Sequence, residues 1–139
     1  FEILEDEATA DIAYLAHGES LEELYENAAF GLFSIITDPD KVREMQTDLV
    51  SVAAEDREAL LLDFLNELLY LWDVEKVLFS EFSCEIREDG ELEISAECSG
   101  EKFDPERHEA KVEVKAVTYF GMEVTEEDGI WKAKVTLDT

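Results

Sequence analysis

The run Lys111-Val112-Glu113-Val114-Lys115-Ala116-Val117-Thr118-Tyr119-Phe120-Gly121-Met122-Glu123-Val124, followed after Asp128-Gly129 by Ile130-Trp131-Lys132-Ala133-Lys134-Val135-Thr136-Leu137-Asp138-Thr139, decides the fold. Val112, Val114, Ala116, Thr118, Phe120, Met122 and Val124 fall on every second position, and Ile130, Ala133, Val135 and Leu137 resume the alternation after the turn. A period of two is the mark of a strand. Asp-Gly supplies the two φ > 0 residues of a type I′ turn, and a two-residue loop makes paired positions sum to an odd number, which turns both apolar sets to one face. Glu127 then opposes Ile130, Val124 opposes Ala133, Met122 opposes Val135 and Phe120 opposes Leu137. Glu123 and Lys134 form an opposite-charge pair on the other face. Carried to its end, this register predicts Asp138 opposite Tyr119 and Thr139 opposite Thr118. If Thr139 is the natural terminus, its α-carboxylate lies beside the Asp138 side chain.

Working outward, Val77–Arg87 and Glu91–Ser99 read as a second hairpin. A three-residue Glu88-Asp89-Gly90 loop sets Arg87 opposite Glu91, Cys84 opposite Ile94 and Cys98 opposite Ser80, too far apart for a disulfide. Leu49–Ala53 alternates as a strand, and Phe1–Glu5 and Asp11–His17 read as an N-terminal strand pair separated by Ala8-Thr9-Ala10. Two helices separate these strands. The first begins at Ser20, which forms a capping box with Glu23, and it carries an apolar stripe from Leu21 to Ile36 before Thr37-Asp38-Pro39-Asp40 stops it. The second spans about Arg57 to Trp72, with Asp63, Asn66, Glu67 and Tyr70 forming one narrow polar stripe on an apolar cylinder. That stripe is the wet edge of a buried helix, or else Glu67 or Asp63 faces a polar site. The expected fold is α+β: mainly antiparallel sheets with two α-helices packed on them, in a single domain over residues 1–139.

The charge is unusual: 37 Asp and Glu against 11 Lys and Arg leave −26. Such a field repels bare nucleic acid and anionic membranes, so direct nucleic-acid binding is not expected and any RNA role runs through another protein. No apolar run is long enough to span a membrane, and two unbridged cysteines suggest a cytosolic protein.

Nucleophile elbows, phosphate loops, dinucleotide fingerprints and Cys-x-x-Cys spacings are missing. With only His17 and His108, a histidine-rich metal site is nearly excluded. Lys115 on the hairpin's outward face, with Val117 and Tyr119, pairs with a carboxylate or contacts a phosphate or a partner. The remaining constellation is made of oxygen donors: Asp138, the Thr139 carboxylate and one further acid suit hard cations such as Ca²⁺ or Mg²⁺. Composition does not select the third ligand, although Asp11 is a natural choice.

Thr9-Ala10-Asp11-Ile12, Gly18, Leu21-Glu22-Glu23-Leu24, the Asp63-Phe64-Leu65-Asn66-Glu67-Leu68-Leu69-Tyr70 centre of the second helix, Arg107-His108, Glu113-Val114-Lys115-Ala116-Val117-Thr118-Tyr119 and a near-terminal Asp138 together resemble the archease family. The resemblance runs over essentially the whole chain. It implies a non-enzymatic accessory protein of an RtcB-type RNA ligase, which joins tRNA exons, promoting guanylylation of the ligase from GTP and repeated turnover. It implies that Asp11, Asp138 and Thr139 bind a divalent metal, Ca²⁺ first and Mg²⁺ or Mn²⁺ as alternatives. Lys115, Thr118, Tyr119, Glu67 and His108 are supporting or partner-facing candidates. The family commonly has histidine where Ala8 stands and an aliphatic residue where Thr139 stands. The competing expectation is a chaperone or modulator of tRNA-modifying enzymes.

Overall fold

The computed structural model describes residues 1–5 and 11–139, and the predicted Ala8-Thr9-Ala10 connection lies outside them. Strands β1 (Glu2–Glu5) and β2 (Ile12–Gly18) lead into helix α1 (Leu21–Ile36) and a 3-10 turn at Pro39–Lys41. Strand β3 (Gln46–Ala54), helix α2 (Arg57–Glu75), strands β4 (Val77–Arg87) and β5 (Leu92–Lys102), and strands β6 (Ala116–Glu127) and β7 (Ile130–Asp138) follow. All strand pairings are antiparallel. One sheet has the order β1-β2-β7-β6 and the other β3-β5-β4. The α+β expectation holds, with the helices binding two sheets together.

Local chemistry accounts for the helix starts. Ser20 Oγ accepts the Glu23 N–H (3.1 Å), while Glu23 Oε1 accepts the Glu19 N–H (3.3 Å). Asp56 caps α2 by accepting the Ala59 N–H at 2.7 Å. Such caps satisfy amides that the first helical turn leaves without partners. The apolar stripes are buried: Leu24, Leu32 and Ile36 from α1 and Leu61, Phe64 and Leu68 from α2 are fully enclosed. They meet Phe79, Ile94 and Val135 from the sheets in a continuous cluster.

The helices also close sheet edges. Glu26 of α1 accepts the Cys84 N–H of edge strand β4 at 2.8 Å. On the edge of β6, Asn66 of α2 accepts the Val117 N–H and donates to the Val117 carbonyl, both at 3.0 Å. In the first turn of the same helix, Glu58 accepts the Val124 N–H at 3.3 Å. Unpaired strand edges invite association with other chains, and side chains that occupy these groups block such pairing.

The predicted C-terminal register holds only near its turn. Glu127 pairs with Ile130, Val124 with Ala133 and Glu123 with Lys134, but beyond a bulge Thr118 pairs with Thr136, Val117 with Leu137 and Ala116 with Asp138. Asp138 is therefore not opposite Tyr119, nor does Phe120 face Leu137. Tyr119 to Met122 oppose Val135 alone, and this surplus of three residues reverses the parity, so that Val117 is buried and Phe120 is 78% exposed. Gly121, at φ +67°, accommodates the distortion. Residues 111–115 lie before β6, not inside it.

The middle hairpin is also longer-looped than predicted. Arg87 pairs with Glu93, Cys84 with Ala96 and Cys98 with Phe82. The shift of two keeps the inward faces inward, which is why the apolar pattern did not reveal it. Both cysteines are buried and unbridged.

Candidate functional site

The central pairing of the larger sheet joins β2 to β7, with Ile12 opposite Leu137, Tyr14 opposite Val135 and Ala16 opposite Ala133. These residues bury their side chains toward the helices, apart from the half-buried Ile12 at the end. Asp11 and Asp138 directly adjoin the last pair of this ladder, Ile12 and Leu137, so continuing its register by one step would set them opposite each other. Directly opposed residues on antiparallel strands share a face at Cα separations of about 4.5–5.5 Å. Alternation turns Asp138 to the face opposite Leu137.

Small residues surround that end of the sheet. Ala116 is the cross-strand neighbour of Asp138, and the next row consists of Ala13, Thr136 and Thr118. Thr118 Oγ1 donates to the Thr136 carbonyl at 3.2 Å. Thr136 Oγ1 is itself buried without a hydrogen-bond partner among the described residues. The Lys115 N–H donates to the Asp138 carbonyl at 2.7 Å, tying the approach to β6 onto the end of β7. Asp138 is exposed, whereas Asp11 and Thr139 are half-buried.

Sequence reasoning thus named five residues that the topology gathers at one end of the sheet: Asp11, Asp138, Thr139, Lys115 and Thr118. Lys115 is exposed, but Val117, assigned with it to the outward face, points into the core. Tyr119 is 52% exposed on the bulge. Its phenol titrates above the ordinary value, through partial desolvation and then the Asp56, Glu58 and Asp63 carboxylates. Glu67 is exposed on α2, beside Asn66.

His108 belongs to a different cluster, centred on Glu101 at the end of β5. Its Nδ1 accepts the Asp104 N–H at 2.9 Å, which leaves the proton on Nε2 facing Glu101 Oε2 at 3.0 Å. Arg107 pairs with the other Glu101 oxygen, and the Arg43 N–H donates to Oε2 at 2.7 Å. The ring is buried and both nitrogens are engaged, so it braces the connection before β6. This cluster and the Asn66 clamp are the arrangements that sequence reasoning missed. Their signals were Asn66 in the polar stripe of α2 and the adjacent Arg107-His108.

The donor chemistry at Asp11 and Asp138 is anionic oxygen, the type hard divalent cations take. Among the described residues no three His, Cys, Asp or Glu side chains form a metal-ligating group. The thiols offer no alternative chemistry: burial pushes Cys98 up to about 12, and burial and then Glu26 push Cys84 higher still. No helix among the described residues is long and apolar enough to cross a membrane.

Residues 1–139 match the model of the archease protein family (MTH1598/TM1083). A protein archease of Methanosarcina mazei is 48% identical over 134 residues, which cover 95% of this chain and 92% of that protein. The solution structure of Methanobacterium thermoautotrophicum protein 1598 superposes with a TM-score of 0.87 at 41% identity, covering 99% of this chain and 97% of that one. The crystal structure of an archease from Thermotoga maritima, described as a possible chaperone, gives a TM-score of 0.65 at 26% identity, covering 94% and 92%.

Proposed function

The chain belongs to the archease family, and from that premise we propose that it is an accessory protein of an RtcB-type RNA ligase in cytoplasmic tRNA splicing. In this reading it is not an enzyme. It docks on the ligase and promotes guanylylation of the ligase's active-site histidine from GTP, allowing repeated turnover.

The observation that carries the proposal is the β2–β7 register, whose last pair, Ile12 and Leu137, leaves Asp11 and Asp138 as the next residue on each chain segment at that end of the sheet. Asp11, Asp138 and Thr139 would hold a divalent cation, Ca²⁺ in the first instance. When bound, such a cation supplies positive charge that neutralises phosphate oxygens. Asp138 contributes an exposed carboxylate on a strand whose main chain is fixed on both sides, by β2 and by the Lys115 N–H. Lys115, exposed on the adjoining segment, offers a cation to the same phosphate-bearing neighbourhood. The net charge of −26 suits entry into a cleft lined with basic side chains.

The test is to incubate the cognate ligase with labelled GTP and a divalent salt, with and without this protein. Faster and more complete labelling of the ligase is expected, and equal rates would sink the proposal. Asp138→Asn should keep the wild-type unfolding midpoint in chelator yet lose most of the stimulation and the Ca²⁺-dependent rise in Tm.

A chaperone of tRNA-modifying proteins is the second reading. It is favoured by the description of the Thermotoga maritima structure and by the apolar side chains exposed at Met45 and Leu49. It predicts suppression of client aggregation that survives Asp138→Asn.

A further inference from the structure

The bulge in β6 makes a surface feature that the carboxylate site does not use. Met122 turns into the core, Gly121 lies over the Lys134 side chain, and the two intervening aromatic residues are driven outward. Tyr119 is 52% exposed, and Phe120, at 78%, is the most exposed large hydrophobic side chain among the described residues. The knuckle is held at both ends. Asn66 engages both backbone groups of Val117 before it, and Glu58 accepts the Val124 N–H after it. Two anchor points on one helix fix the backbone on either side of the rings, which lowers the conformational cost of docking.

The charge around the knuckle indicates what covers it. Asp56 at the N-cap of α2 and Glu58 and Asp63 in its first two turns border the knuckle: Glu58 reaches the β6 main chain at Val124, and all three carboxylates act electrostatically on the Tyr119 phenol. Two apolar rings with a carboxylate border complement a recess with an apolar floor and a border of Arg and Lys side chains, where aromatic faces also attract guanidinium groups. An enzyme that holds RNA lines its cleft with such cations. A second copy of this chain would instead bring another −26 against the same border.

We propose that Tyr119 and Phe120 anchor this protein in the basic RNA-binding cleft of its ligase partner, with Asp56, Glu58 and Asp63 pairing with the cations at the rim. This inference rests on the reading of the chain as a ligase accessory protein. It divides the labour along one strand: the knuckle docks, and Ala116, three positions before Tyr119, pairs with Asp138 of the carboxylate site.

The experiment measures ligase binding by calorimetry and ligase guanylylation in parallel, for wild type, Tyr119→Ala, Phe120→Ala and the exposed apolar control Val74→Ala. Each aromatic variant should bind about tenfold or more weakly, the loss typical of a central aromatic anchor. Its stimulation should return at saturating concentration, and Val74→Ala should behave as wild type. Wild-type affinity should also fall as salt is raised. Aromatic variants that bind within about twofold of a wild type that does stimulate would overturn the anchor while leaving the accessory function intact. A wild type that neither binds nor stimulates would remove both. Urea unfolding guards the interpretation: unchanged midpoints support a docking role, and a large loss of stability in both aromatic variants would count against it.

Discussion

At the scale of single residues, Glu101 shows how a buried carboxylate is kept charged. Burial pushes its pKa up, but the Arg43 N–H, the His108 ring and the Arg107 guanidinium outweigh that effect and hold it below the ordinary 4.5. A carboxylate whose folded pKa is depressed stabilises the fold fully above its unfolded pKa and loses that contribution as pH falls through the folded value. Glu101→Gln should therefore be less stable than wild type at pH 7, with the difference shrinking as pH falls below 4.5. Urea unfolding of both proteins across pH 3 to 7 (about one measurement per half unit) checks this, and a constant difference would show that charge is not what Glu101 contributes.

Among elements, α2 both fills the core and braces the outer edge of β6. The Asn66 carboxamide makes two hydrogen bonds to Val117, and neither backbone group has a neighbouring strand on that side. Asn66→Ala should cost about 2 kcal/mol, the sum of two modest net hydrogen bonds, and should accelerate aggregation by freeing the edge. A urea midpoint and light scattering report the two effects separately. Asn66 also marks the limit of what the sequence reveals. The polar stripe on α2 was legible because helical periodicity is local, whereas the strand it braces depends on packing between distant segments. The same contrast runs through the strands. The Asp128-Gly129 turn was readable from two residues, but the bulge was not, because strict alternation continues through Tyr119 and Phe120 as if the ladder were regular. Gly121, a glycine inside a strand, was the available sign. Asp11 carried no local signal: its nearness to the end of β7 follows from the Ile12–Leu137 pairing, which spans almost the whole chain, and the family resemblance is what singled it out.

For the whole molecule, the −26 charge opposes compaction, since folding brings the carboxylates closer together. Raising NaCl from about 0.05 to 0.5 M shortens the screening length severalfold, so the Tm should rise over that range. A falling Tm would mean that specific ion pairs outweigh the general repulsion. The order of the larger sheet has a different consequence. Strand β7 follows every other strand in the chain, yet it lies inside its sheet, between β2 and β6. A ribosome releases β3, β4 and β5 close together, so the smaller sheet can close while synthesis continues. The larger one has to wait for its last strand. Until then the newborn chain carries a β1–β2 ribbon and a separate β6, each with an edge open to the crowded surroundings, and a premature stop codon before β7 would leave it in that state.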